Sequence, residues 1–227
     1  MEWLVDLTVC RYTKNKTFFF VAFSVFLFSC QEKEQKILPF YNNAQFDAEW
    51  INPAESRYSS IHTMDTFSLQ NQLGNTITKD SLDGFIYVAN FFFTSCSTIC
   101  PKMQNNLQVI QDSLAKNSSV KLVSFSVMPW VDSVSLLKEY GKAHGVHPQQ
   151  WHLLTGSKER IYELARKSYF AEKGLGLQKT NDEFLHTESM LLVDRKGRLR
   201  GIYNATQRVD IGRVLEDINV LLKEERL

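Results

Sequence analysis

Short apolar runs separated by polar and amphipathic stretches set the layout of this chain. Phe85 to Phe93 is almost wholly apolar and rich in β-formers, which predicts a central strand of a sheet covered on both faces. Val120 to Val127 and Trp151 to Leu154 predict two further strands, with helices expected over Pro101 to about Ala115, Ser133 to His144, Lys158 to Lys167 and Gln207 to Leu222. Upstream, Phe67 to Asp80 reads as a hairpin with Gly74-Asn75 at or near its turn. Downstream, Met190 to Val193, the turn Asp194-Arg195-Lys196-Gly197 and the strand Leu199 to Tyr203 make a closing hairpin. Tyr169 to Leu185 holds Gly174 and Gly176 and is expected to be a mobile loop. Strands alternating with helices place the chain in the α/β class, with a central mixed sheet flanked by helices and an N-terminal β-hairpin.

The N-terminus follows a different pattern. Lys14 and Lys16 precede an uninterrupted apolar or small stretch, Phe18 to Ser29, and Cys30 is then followed by the polar run Gln31 to Lys36. The stretch is too short to span a bilayer comfortably and suits the core of a signal peptide, although an uncleaved anchor helix remains the alternative. Leu27-Phe28-Ser29-Cys30 looks like a bacterial lipobox, with cleavage before Cys30 and lipid on its sulfur. The expected organisation is therefore a lipoprotein signal peptide over 1–29, a lipid anchor and linker over 30–60, and one domain over 61–227. The linker reading rests on sparse apolar content and on Pro39 and Pro53. A chain so anchored lies in the cell envelope, facing the periplasm.

Composition narrows the partners. With 26 basic and 25 acidic residues there is no charge excess to steer the chain to nucleic acid. No internal repeat or phosphate-binding glycine motif is present. Once Cys10 is removed with the leader and Cys30 is lipidated, only Cys96 and Cys100 of the four cysteines remain, so the cysteines are not a stabilising framework.

Those two thiols carry the chemistry. They lie in Phe91-Phe92-Phe93-Thr94-Ser95-Cys96-Ser97-Thr98-Ile99-Cys100-Pro101, where a buried strand gives way to a helix. Pro101 suits the first helical position, with Cys100 as the N-cap, and the positive end of the helix favours thiolate over thiol. A structural disulfide is the competing reading, but a bridge closing so short a loop constrains the unfolded chain little. Thioredoxin-type redox motifs have two residues between the cysteines, whereas this one has three, which leaves room for both sulfurs to face a single ion. Two thiolates make a soft site suited to Cu(I) or Zn and still need a third ligand. His186, just ahead of the strand that begins at Met190, is the candidate, while His62, His144, His147 and His152 read as ordinary surface or core histidines.

Three elements taken together resemble the SCO/SenC proteins, the copper chaperones of cytochrome c oxidase assembly. They are Phe91 to Met103 with its Cys-x-x-x-Cys-Pro, Trp151-His-Leu-Leu-Thr155-Gly156, and His186 followed by Leu192-Val193-Asp194-Arg-Lys-Gly197-Arg, and the resemblance runs from about Thr66 to Leu222. It implies a thioredoxin-like sandwich in which Cys96, Cys100 and His186 bind one copper ion, as Cu(I), Cu(II) or both. It also implies a partner, the copper-site subunit of a respiratory oxidase, to which copper is delivered or whose cysteines are reduced. The alternative is a thiol-disulfide oxidoreductase with Cys96 as attacking thiolate, Cys100 as resolving thiol and His186 assisting proton transfer. On the first reading the chain is a metallochaperone rather than an enzyme. One departure stands out. Where the family commonly has Asp-Pro-Glu-Arg-Asp-Thr, this chain has Met128-Pro129-Trp130-Val131-Asp132-Ser133, so the first acidic residue is a methionine. Asp132 matches the later one and is expected to cap the helix that begins near Ser133.

Overall fold

The computed structural model describes residues 36–171 and 187–224. A two-stranded hairpin, β1 (Phe40–Tyr41) and β2 (Ala48–Glu49), comes first. The remaining strands are β3 (Ser68–Asn71), β4 (Thr76–Thr78), β5 (Ile86–Phe92), β6 (Val120–Ser126), β7 (Trp151–Thr155), β8 (Ser189–Val193) and β9 (Leu199–Asn204). They form one mixed sheet in the order β4-β3-β7-β6-β5-β8-β9. The three middle strands β7, β6 and β5 run parallel, and the hairpins on either side join them antiparallel. The helices are α1 (Cys100–Ser113), α2 (Val134–Ala143), α3 (Lys158–Glu163) and α4 (Arg208–Glu224).

The period-two alternation of a strand divides β5 between two cores. Ile86, Val88 and Phe92 face a layer made by Met103, Leu107 and Ile110 of α1, Leu137 of α2 and Ile211, Val214 and Ile218 of α4. Tyr87, Ala89 and Phe91 face the opposite layer, where Ile161 and Tyr162 of α3 meet Leu164, Tyr169 and Phe125. All seven residues of β5 are buried, as expected for a strand covered on both faces. The result is the thioredoxin-like α/β sandwich expected from the sequence. Among the described residues no helix is long and apolar enough to cross a membrane; the stretch Phe18 to Ser29 lies outside them.

Local signals account for most element boundaries. The β3–β4 turn is made possible by Gly74, which sits at φ +79°, and Asn71 closes it by accepting the N–H groups of Leu73 and Asn75 on its side chain. In the β8–β9 turn, Asp194 accepts from the N–H groups of Lys196 and Arg198. The helix expected over Lys158 to Lys167 holds α geometry only to Glu163 and closes with a π-helical turn, Leu164–Ser168.

Three expectations are corrected. The stretch read as linker is folded from Lys36 onward: Leu38, Phe40 and Ile51 are buried, and Arg200 donates to the carbonyls of Leu38 (2.8 Å) and Pro39 (3.0 Å). A strap needs only a few apolar anchors, so its low apolar content hid the docking. Cys100 is the first residue of α1 rather than its cap, since Ile99 holds the capping position with helical dihedrals and makes no side-chain capping bond. Asp132 does not cap α2. Ser133 does, accepting the Leu136 N–H at 3.3 Å, and Asp132 is turned inward.

Candidate metal centre

Parallel strands place the loops that follow β5, β6 and β7 along one edge of the sheet, which is where α/β proteins gather their chemistry. The cysteine loop leaves β5 with a turn in which the Cys96 N–H donates to the Phe93 carbonyl at 3.3 Å. One turn on, the Cys100 N–H donates to Cys96 Sγ at 3.4 Å, and the Thr98 hydroxyl lies 3.6 Å from the same sulfur. The start of α1 is thus aimed at Cys96. Both cysteines are free thiols; Cys96 is 9 % exposed and Cys100 5 %, beside the exposed Ser95, Ser97 and Thr98.

These surroundings split the two thiols. Burial pushes Cys96 up, but hydrogen bonds from the Cys100 thiol and N–H and from the Thr98 N–H and hydroxyl outweigh it, and the group comes down to about 7. In Cys100 burial prevails, helped by the hydrogen bond with Cys96 and by the charges of Cys96 and Asp132, and against a bond with the Phe93 backbone the thiol is pushed up to about 12. Near neutral pH one sulfur is therefore a ready thiolate, and the second gives up its proton when a cation approaches.

Beneath the loop lies a polar hub that sequence reading missed. Asp132 is wholly buried and accepts from the Thr94 N–H (3.2 Å), the Thr94 hydroxyl (2.5 Å) and the Ser126 hydroxyl (2.5 Å). It binds the end of β6 to the residue two before Cys96. Tyr140 of α2 also belongs to the surroundings: burial, then the charges of Cys100, Asp132 and Cys96, push its hydroxyl well above the ordinary range. Nothing in the spacing of Tyr140 from the cysteines marks it, since the fold alone brings α2 there.

The other expected residues divide. Met128 is half-buried in the loop after β6, its carbonyl accepting from the N–H groups of Val131 and Asp132 at 2.8 Å each. His62 bonds the Ser168 carbonyl at 2.9 Å, and His144 bonds the Tyr140 carbonyl at 2.9 Å and stacks on the Tyr140 ring. His152 is pushed down to about 4 by burial and then by the charge of Lys121. His186 and Cys30 lie outside the described residues, as does most of the loop Tyr169 to Leu185. Among the described residues no three His, Cys, Asp or Glu side chains converge on one point, so an ion held by the two thiols would need a further ligand from outside them. Register shows where chain is at hand. β8 runs antiparallel to β5 with Asn90 opposite Met190 and Tyr87 opposite Val193, so the segment ahead of Ser189 enters the sheet at the edge where β5 leaves for the cysteine loop. Glu188 is fixed there by the side chains of Asn204 and Thr206, both at 2.9 Å.

Comparison with known proteins identifies relatives of most of the folded region. The SCO1/SenC family model matches residues 55–223. A SCO1 protein homolog of Bacillus subtilis is 33 % identical over 161 residues, covering 69 % of this chain and 81 % of its own. The solved structure of BsSco, a member of the Sco family of cytochrome c oxidase assembly proteins in which a disulfide switch was identified, is 32 % identical, with 70 % of this chain and 92 % of that one covered and a TM-score of 0.60. Arabidopsis thaliana ScoI with copper bound is 27 % identical, with coverage of 71 % and 99 % and a TM-score of 0.56. With a family model spanning most of the folded region and the cysteine loop in its expected place, this chain belongs to the SCO1/SenC family.

Proposed function

We propose that the chain binds one copper ion through Cys96, Cys100 and His186, and that it delivers the ion to, or prepares the thiols of, the copper site of a respiratory cytochrome oxidase. The observation that carries this reading is the split thiol pair, with Cys96 brought down to about 7 beside a second sulfur one helical turn away. An ionised sulfur close to the surface captures a soft cation, and the second sulfur follows as its proton leaves. His186 is two residues ahead of Glu188, which is anchored at the edge of the sheet that carries the cysteine loop. Two thiolates and one imidazole hold copper firmly enough to carry it, while a three-coordinate ion leaves an incoming ligand room to begin exchange. The copper-bound relative and the family's part in oxidase assembly support this direction. Lipid attachment at Cys30 would hold the domain at the envelope membrane, on the reading of the lipobox.

The same split also suits disulfide exchange, with a nucleophile of pKa near 7 and a protonated partner. Replacing the proposed third ligand separates the two. His186→Ala is expected to lower Cu(I) affinity by about 10-fold or more, since losing a ligand costs at least the roughly 1.4 kcal/mol of one decade, while disulfide reductase activity suffers less. Affinity is read by competition with a chromogenic Cu(I) chelator. Unchanged affinity together with collapsed reductase activity would overturn the chaperone reading in favour of the oxidoreductase.

A further inference from the structure

The edge of the sheet beside the cysteine loop carries an apolar ridge. Trp130 is 57 % exposed, Val131 41 % and Leu136 39 %. These are three of the eight large hydrophobic side chains exposed among the described residues, and they fall in one short stretch of chain. Trp130 and Val131 lie in the loop between β6 and α2, and Leu136 is on the first turn of α2. Beyond Trp130 the surface opens into a depression of about 480 Å³ lined by Pro129, Gly156, Lys158 and Glu159, with the Lys158 ammonium 5.5 Å over the indole.

We infer that this ridge is the docking surface for the protein that exchanges copper or thiols with Cys96, and that the partner lays an apolar side chain against Trp130. The inference rests on the proposed function and names where the partner sits. Its first support is continuity. The loop of Trp130 and the loop of Cys96 are bonded to each other through Asp132 and Thr94. They follow adjacent strands, which lie about 4.8 Å apart. A partner that shares an ion or a disulfide with Cys96 must bring its own ligand atom to the sulfur, and a specific contact covers roughly 800 Å² on each side, a disc of about 16 Å radius. Trp130 and Val131, directly ahead of Asp132 in the loop bonded to Thr94, are the apolar side chains placed to meet that partner.

The second support is the character of the surface. Around Cys96 the exposed residues Ser95, Ser97, Thr98 and Pro101 carry no charge, nor do Trp130, Val131, Ser133 and Leu136 across the next loop, and charge enters at the margins with Lys102, Lys158 and Glu159. An apolar patch kept in water is what an interface needs and a monomer avoids, and tryptophan is the side chain most enriched among residues that dominate binding.

The test uses the reduced, copper-free protein and, as probe, the soluble copper-site domain of the cytochrome oxidase subunit from the same genome, with association measured by titration calorimetry. Trp130→Ala and Trp130→Glu are expected to raise Kd by about 10-fold or more. Chelator-competition copper affinity and the alkylation rate of Cys96 should stay at the wild-type value, because neither side chain touches the thiols. Unchanged association in both variants overturns the inference, as does a wild-type protein that does not bind the domain at all. A wild-type dimer in sedimentation that Trp130→Glu dissolves would assign the ridge to a second copy of this chain and overturn it equally. Copper affinity is measured separately, so a failure of the metal reading appears as a wild-type protein that binds no copper, whatever the association arm shows.

Discussion

Asp132→Ala distinguishes a helix cap from a buried hub by magnitude alone. A capping aspartate lost from the start of α2 would cost about 1 kcal/mol. The structure gives a larger figure. Asp132 is wholly buried and receives three hydrogen bonds, two from Thr94 and one from Ser126, so truncation strands three donors under the cysteine loop. Leaving a buried donor without its acceptor costs about 1–3 kcal/mol. The Thr94 and Ser126 hydroxyls can rotate toward other acceptors, whereas the Thr94 N–H cannot, so about 3 kcal/mol is expected. For a domain of this size that lowers Tm by roughly 6–12 °C. The measurement is urea unfolding of the reduced, metal-free protein, with the midpoint compared at constant m. Ser133→Ala, which removes the observed cap, should cost about 1 kcal/mol in the same assay, and Thr94→Val should fall between the two and couple to Asp132→Ala in a double-mutant cycle. A loss below about 1 kcal/mol for Asp132→Ala, or additivity with Thr94→Val, would refute the hub.

How much of this was legible in the sequence depends on the range of the interaction that sets each feature. β5 was readable because both of its faces are buried and every residue shows it, and the β3–β4 turn because only a residue such as Gly74 tolerates φ +79°. The cysteine loop was equally local, strand and helix start being adjacent in the chain. For Asp132 the same locality misleads. Local pattern offers an aspartate before a helix as a cap, while its actual donors on Thr94 are 38 residues away and reach it only through the pairing of β5 with β6. The strap from Lys36 to Ile51 was hidden because its anchoring depends on Arg200, more than 160 positions later. Tyr140 reached the thiols by way of helix packing, which composition does not encode position by position.

The remaining expectations concern charge and anchoring. Alkylation of Cys96 should rise through a midpoint near pH 7 while Cys100 stays protonated well above it, and a Cys96 midpoint near the ordinary thiol value would refute the hydrogen-bonded thiolate. Because the folded pKa of Cys96 is depressed, its share of apo stability is complete above the unfolded thiol value, near pH 9, and is lost as pH falls through about 7. Cys30→Ala should give an unlipidated, poorly processed precursor, and mass spectrometry showing an unmodified mature terminus at another residue in the parent protein would defeat the lipoprotein reading. His152 sets an acid limit of its own. Burial and then the charge of Lys121 hold it down to about 4, so it is neutral in the folded chain and takes up a proton on unfolding below its ordinary value of 6.5. Its contribution is therefore complete above about pH 6.5 and drains away as pH falls toward 4. His152→Gln keeps a polar group near Asn71 but cannot take up that proton, so the slope of unfolding free energy against pH between 6.5 and 4 should flatten relative to the parent. If the two slopes coincide, His152 is solvated in the folded protein and the acid sensitivity belongs to the carboxylates.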